Sequence, residues 1–396
     1  VARAHIMLSA RQPPPPLYRA PRLPPQSKGL IIDGNLEKPE WSAAPWSLPF
    51  ADIRGPDFEE QPPEECATRM KMLWDENYLY VGAVVKCSFE TIASFTERNS
   101  PIYQKDSDFE VFIDADYSCH QYKEFEVNPN NVVWNLMLTQ PYADGGEECS
   151  GRVATPKEND RYYEVAKQRS ATRLLSGAIG DPNGATWAVE VAFAHSDTLA
   201  RCAFPSRAIQ PTVGNRWRVN FSRVERCGEI NWTWAPQIIW EPRSKCYEGK
   251  VNMHLPDAWG AVEFAPCAGR GGPPPKPLGQ DGGAEDAAAM AAEPVSIAAD
   301  AAMNGYYALK AYAEVNGKLP KTVDELKAAE LLDEVLIAKC SGFEILVDED
   351  IAPKVFVVQA IVGEGDGATS ATVTEDRLLC ITDPNAIHNG GMLEDP

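Results

Sequence analysis

Between Asp106 and Leu138 the chain reads DSDFEVFIDADYSCHQYKEFEVNPNNVVWNLML, and carboxylates, an amide and aromatic rings recur there at alternate positions. Glu110 stands between Phe109 and Val111, while Glu124, Glu126 and Asn128 alternate with Phe125 and Val127. Such a set accepts hydrogen bonds from ligand hydroxyls while flat rings cover C–H faces, which is the chemistry of sugar recognition. Tyr103, Tyr122, Trp134 and His254 supply further rings, and Trp74 and Trp234 are candidates for the same face. Glu110 and Glu126, on neighbouring strands, could alternatively form the carboxylate pair of a glycosidase. The plain structural alternative is that these groups meet nearby Arg and Lys, and that most of the ten tryptophans fill a core. No G-x-S-x-G, H-E-x-x-H, P-loop or dinucleotide fingerprint occurs, so a non-catalytic binding role leads.

A period of two implies three successive strands with one face on a core and the other presented outward. RMKMLWDENYLYVGAVV adds a hairpin, and WAVEVAF, WRVNFSRV and WGAVEF add further strands. The stretch from Asp144 to about Gly184 reads instead as a long polar excursion. The fold class expected is mainly β, an antiparallel β-sandwich of immunoglobulin-like or jelly-roll-like type over residues 28–267. Prolines at 13–16, 21, 24 and 25 make residues 1–27 an extended arm, because proline lacks an amide donor. Residues 268–294, rich in Gly, Pro and Ala, read as a linker, and 295–385 as a small α+β domain followed by a tail over 386–396. In that domain Ala302, Tyr306, Leu309 and Ala313 share a helical face. Asn316-Gly317 stops this helix, Thr322 caps a second, and Phe343–Val347, Lys354–Ile361 and Ala371–Ile381 read as strands.

With 396 residues and a formal charge of −20, the chain exceeds one ordinary core and disfavours nucleic acid or anionic membrane as main partner. No apolar run reaches the roughly 18 residues of a membrane span. Ten cysteines without a C-x-x-C pair leave disulfides and buried thiols both open. The missing initiator methionine and two N-x-S/T triplets lead to an expectation of a processed protein, secreted, extracellular or in an organelle lumen.

The segments IDGNLEKPEW, FADIRG, DSDFEVFIDAD, YKEFEVNPNNVVWNLMLTQPY, WAVEVAF, VGNRWRVNFSRVE, NWTWAPQ and NMHLPDAWGAVEF occur in order. Together they resemble the carbohydrate-binding family 9-like proteins over about residues 28–265. The resemblance implies a β-sandwich and a glycan ligand held between two aromatic rings with a Glu and an Arg. The Glu falls on Glu110, the Arg position on Glu126, the first ring near Tyr103 or Gln104, and the second near Met253 or His254. It also implies structural calcium, with Asp114 and Asp116 as ligands. Haem-binding DOMON-type relatives imply axial ligands drawn from Met70, Lys71, Met72, His195 and His254. The pattern YYALKAYAEVNGKLPKTVDELKAAELLDE resembles the globular part of pilin-like subunits, an assembly role. Three readings from different classes follow: a carbohydrate-binding protein, a structural subunit that docks protein partners in a large assembly, or a haem-carrying electron-transfer domain.

Overall fold

The computed structural model describes residues 14–384, apart from 26, 28, 158–159, 206–208, 268–287 and 349–354. The first unit holds β1 (Leu17–Arg22), β2 (Ala51–Asp52), β3 (Thr68–Trp74), β4 (Tyr78–Lys86) and β5 (Phe109–Asp114). It continues through β6 (Tyr122–Val127), β7 (Val133–Leu138), β8 (Glu148–Ser150), β9 (Arg169–Gly177) and β10 (Ala185–Ala194). β11 (Arg216–Glu225), β12 (Ile230–Thr233), β13 (Ile238–Glu241), β14 (Cys246–Gly249) and β15 (Gly260–Cys267) complete it. The hydrogen-bonded order is β8-β7-β6-β5-β11-β15-β1-β3-β4-β10-β9, with β12 on β11 and β2 on β12. Because side chains alternate across a strand, Val111, Phe125 and Phe221 of one half meet Met70, Met72, Val81, Val189 and Val191 of the other in a single core. The β-rich class expected from the alternation is therefore present, as one sheet curled over itself.

β1 closes that curl, running parallel to β15 with Leu17 opposite Ala261, and parallel to β3 with Arg22 opposite Trp74. This corrects the reading of residues 1–27 as an arm. Tyr18 is fully buried, its hydroxyl donating to Pro45 O at 2.7 Å and accepting from Met72 N at 2.9 Å. Extended backbone rich in proline is equally suited to a strand whose proline sits where pairing ends, and here the register shifts between Pro21 and Arg22. The remainder of the proline run, before residue 14, lies outside the described residues.

Further elements escaped the sequence pattern, β9 and the β13–β14 hairpin among them. β9 crosses the supposed polar excursion as a sheet edge, and its mostly exposed residues carry no apolar alternation. β13 and β14 pair as a separate hairpin. This hairpin carries the C-terminal unit: Trp240 Nε1 donates to Leu331 O at 2.8 Å and the Tyr247 hydroxyl to Asp333 Oδ2 at 2.9 Å.

The C-terminal unit packs α2 (Pro294–Asn316) on a sheet of β16 (Gly342–Asp348), β17 (Val355–Val362), β18 (Thr369–Thr374) and β19 (Leu379–Thr382); the short helix His195–Thr198 is α1. Ala302, Tyr306 and Leu309 lie in its core. Gly317 ends α2 with a positive φ of 69°, and the Thr322 side chain accepts from Glu325 N. The run Ala371–Ile381 is two strands rather than one, and Lys354 lies outside the described residues, as do 268–287 of the linker and the tail. The linker's last residues are packed: Met290 joins Leu17 and Ala261, and Glu293 pairs with Arg216 at 2.9 Å. No described helix is long and apolar enough to cross a membrane. Among the described residues the cysteines form no disulfide.

Candidate functional site

The central strands bring the carboxylates together through register. Glu110 of β5 faces Glu126 of β6 and Ser222 of β11, and Glu126 in turn faces Trp134 of β7. Glu124 lies opposite Phe112, one step along the same face. Asp108, two residues before Glu110, joins the group, and one carboxylate oxygen from each of Asp108, Glu110 and Glu126 lies within 4.8 Å of the others.

The face is not presented to solvent, as the alternation had led us to expect. Every residue of β5, β6 and β7 is buried, and Glu126 is 0% exposed. Ile53, Ile102 and Met253, from three separate loops, pack over Phe112, Tyr122, Trp134, Leu136 and Leu138. Alternation distinguishes two faces but says nothing of loops that fold back over one of them.

Burial dominates the electrostatics. It pushes Glu110 up to about 7, with Ser222 and Asp108 drawing it part of the way back. Asp108, Glu124 and Glu126 are held well above the usual carboxylate range by burial and then by the charge of Glu110. Two like charges ~5 Å apart repel by about 3 kcal/mol at an effective dielectric near 20. Hydrogen bonding offsets little of this. Asp108 Oδ1 accepts from Val224 N at 2.8 Å and Glu126 Oε2 from Tyr103 N at 3.2 Å. Asp108 Oδ2, Glu126 Oε1, Ser222 Oγ and Trp134 Nε1 are buried without a partner.

Beside this cluster stand two exposed tyrosines, Tyr103 at 40% and Tyr142 at 48% exposure. Tyr103 stacks on Trp134 with ring centres 6.0 Å apart, and the Arg152 guanidinium lies 4.9 Å from the same indole. Arg152 Nε donates to Glu148 Oε1 at 3.2 Å. Tyr142 meets the His254 ring edge-on at 4.7 Å, and His254 Nδ1 is 2.9 Å from the Tyr122 hydroxyl. Burial and the charges of Glu124 and Glu148 raise the Tyr142 hydroxyl, so that ring stands over the acidic floor. Tyr142, Glu148 and Arg152 were missed by the sequence reading. Their only sequence signal is the i,i+4 spacing of Glu148 and Arg152, in a stretch without periodicity.

Several expected site residues lie elsewhere. Asn128 turns away from any ligand: its amide donates to Asp106 Oδ2 at 2.8 Å, and its oxygen accepts from Asn130 N and Val132 N. Asp114 and Asp116 do not fit a calcium ion, because all four carboxylate oxygens are taken. Asp114 accepts from Ser118 N and Cys119 N and pairs with Arg218 at 3.4 Å; Asp116 accepts from Ser118 and Phe204 N. Trp74 lies in the central core and Trp234 packs against it. The residues named for haem do not form an axial pair. Met70 and Met72 fill the core, Lys71 Nζ bonds Leu36 O at 3.1 Å, and His195 Nε2 bonds Asp75 O at 2.9 Å.

Comparisons with known proteins bear on the same region. Residues 32–198 match the model of the carbohydrate family 9 binding domain-like family. Among solved structures, a family 9 carbohydrate-binding module of Caldicellulosiruptor kristjanssonii in complex with cellotriose is 15% identical, covering 66% of this chain and 100% of that one, with a TM-score of 0.35. The same organism's module in complex with glucose is 16% identical over 65% and 98% of the two chains, with a TM-score of 0.35. A Bacteroides uniformis protein is 13% identical over 63% and 99%, with a TM-score of 0.42. No curated protein matches. Tyr103, Glu110, Glu124, Glu126, Trp134, Tyr142 and Arg152 all fall within the matched segment, residues 32–198, which is similar to the carbohydrate family 9 binding domain-like family.

Proposed function

We propose that the chain binds a carbohydrate without transforming it, at the mouth between Tyr103 and Tyr142. The observation that carries this reading is the pair of exposed rings over a floor of Glu124, Trp134 and the Arg152–Glu148 pair. Rings of this kind cover the apolar face of a pyranose, and a guanidinium with a carboxylate takes neighbouring hydroxyls. The Trp134 indole N–H, buried without an acceptor, is satisfied by a sugar hydroxyl. Glu110 and Glu126 lie together beneath the mouth rather than across a cleft, an arrangement suited to binding instead of acid–base attack on a glycosidic bond.

Calorimetric titration against gluco-, xylo- and manno-oligosaccharides tests this. The expected result is binding to at least one sugar, weakened about tenfold or more by Tyr103→Ala and by Tyr142→Ala, with unfolding temperature unchanged. Silence of the intact protein across the panel, or equal affinity in both variants, defeats the proposal.

A further inference from the structure

We propose that Asp108, Glu110 and Glu126, with the Ser222 hydroxyl, bind one hard divalent cation beneath the carbohydrate mouth, calcium being the best match. Every donor is oxygen, the set that selects calcium, magnesium or manganese over zinc or copper. The three carboxylate oxygens lie within 4.8 Å of one another, about twice a calcium–oxygen distance of ~2.3–2.6 Å, so one ion can reach all three. Magnesium, at ~2.0–2.1 Å and rigidly octahedral, requires a tighter set.

A second observation, independent of the clustering, points to a missing partner. Asp108 Oδ2, Glu126 Oε1 and Ser222 Oγ are each buried with no hydrogen-bond partner, and Ser222 stands directly across from Glu110. Buried polar atoms are ordinarily satisfied, so orphan oxygens on two members of the cluster and on the residue across from the third point to a ligand there. No described Lys or Arg side chain supplies the compensation. The nearest guanidinium along β11, Arg223, belongs to the opposite face, where it bonds Glu225 Oε1, Cys66 O and Lys86 O. Arg152 is paired with Glu148. A cation satisfies the orphans and cancels the repulsion at once, and an apolar cover of Ile53, Ile102 and Met253 shields it from water.

The site has a consequence for the mouth. Glu126 Oε2 accepts from Tyr103 N, so an ion on Glu126 fixes the backbone that carries one of the two exposed rings. Ion binding itself is read without any sugar and stands or falls separately from the carbohydrate reading.

The test uses the full chain stripped with chelator and titrated with calcium, magnesium and manganese by calorimetry and thermal unfolding. One equivalent of calcium is expected to bind and to raise the unfolding temperature, and Glu126→Gln weakens it about tenfold or more, since charge count sets affinity in such sites. In the stripped state the expectation reverses: Glu126→Gln unfolds at the same or a higher temperature than the parent, because it removes a repelling charge. Ser222→Ala, the mildest change, weakens calcium by a smaller factor and serves if the first variant does not fold. Asp116→Asn leaves affinity unchanged. Tighter binding of magnesium or manganese, lost in the same variants, also supports the site. No response of the stripped protein to any of the three ions, or a response untouched by Glu126→Gln and Ser222→Ala, overturns it.

Discussion

Arg377 Nη1 donates to Asp257 Oδ1 at 3.1 Å, tying the last hairpin of the C-terminal unit to the loop that follows His254. Asp144, two residues after Tyr142, flanks the same guanidinium on its other side at 2.9 Å. The two units therefore meet beside Tyr142, through a cation almost wholly removed from water. Replacing Arg377 with Met leaves Asp257 buried without a cation, with only the Tyr307 hydroxyl as donor, and Asp144 with Lys310 and Tyr306 alone, a change that costs about 3 kcal/mol. Urea unfolding of Arg377→Met is expected to show that loss, with Asp257→Asn in the same chain recovering part of it. Additive losses in the double variant would refute the coupling.

Trp134 offers a finer test of the mouth. Trp134→Phe keeps a ring beneath Tyr103 and removes the indole N–H that lacks an acceptor, together with part of the fused ring that Arg152 lies against. Sugar affinity is expected to fall about fivefold, the scale of one hydrogen bond, with a loss of stability of about 1 kcal/mol from the smaller ring. Unaltered affinity would mean that this N–H does not face the ligand.

His254 makes stability depend on pH. Burial lowers its pKa from 6.5 to about 4, and Tyr122, Tyr142 and Phe112 surround it without a charge among them. Between those two values the unfolded chain binds the proton and the folded one does not, so the contribution is full above about 6.5 and lost as pH falls toward 4. The unfolding temperature of the parent should drop relative to His254→Gln over that interval. Parallel profiles for the two proteins would show that His254 does not titrate this way.

β1 is the latch of the curled sheet. Tyr18→Ala empties a fully buried site that joins Pro45 O and Met72 N, and is expected to cost about 3–5 kcal/mol. Removal of residues 1–22 should abolish cooperative unfolding altogether. A truncated chain with a sharp transition near that of the parent would contradict this role.

Strand existence along β3 to β7 and β10 was legible because each of these strands has alternating apolar residues on the common core, and pairing register follows from that alternation. Glu110 and Glu126 were legible as neighbours for the same reason: residues two apart share a face, and adjacent strands align. The Gly317 stop and the Thr322 cap were legible because each is a local requirement of the backbone. β9 and the β13–β14 hairpin were not, since one is an exposed edge and the other is held by contacts to Leu331 and Asp333, some ninety residues away.

By itself, then, the sequence determined which side chains share a face and where local backbone must turn. Only the tertiary structure decided what covers that face. Ile53, Ile102 and Met253 come from distant loops, and their closure converts an expected open polar surface into a buried carboxylate cluster with two tyrosines at its rim. Turn hydrogen bonds within five residues, joined by Asp106, Arg218 and Phe204 N from further away, took Asn128, Asp114 and Asp116 out of the candidate site. Periodicity reports local geometry. Burial and charge compensation depend on residues remote in the chain, and no local pattern encodes them.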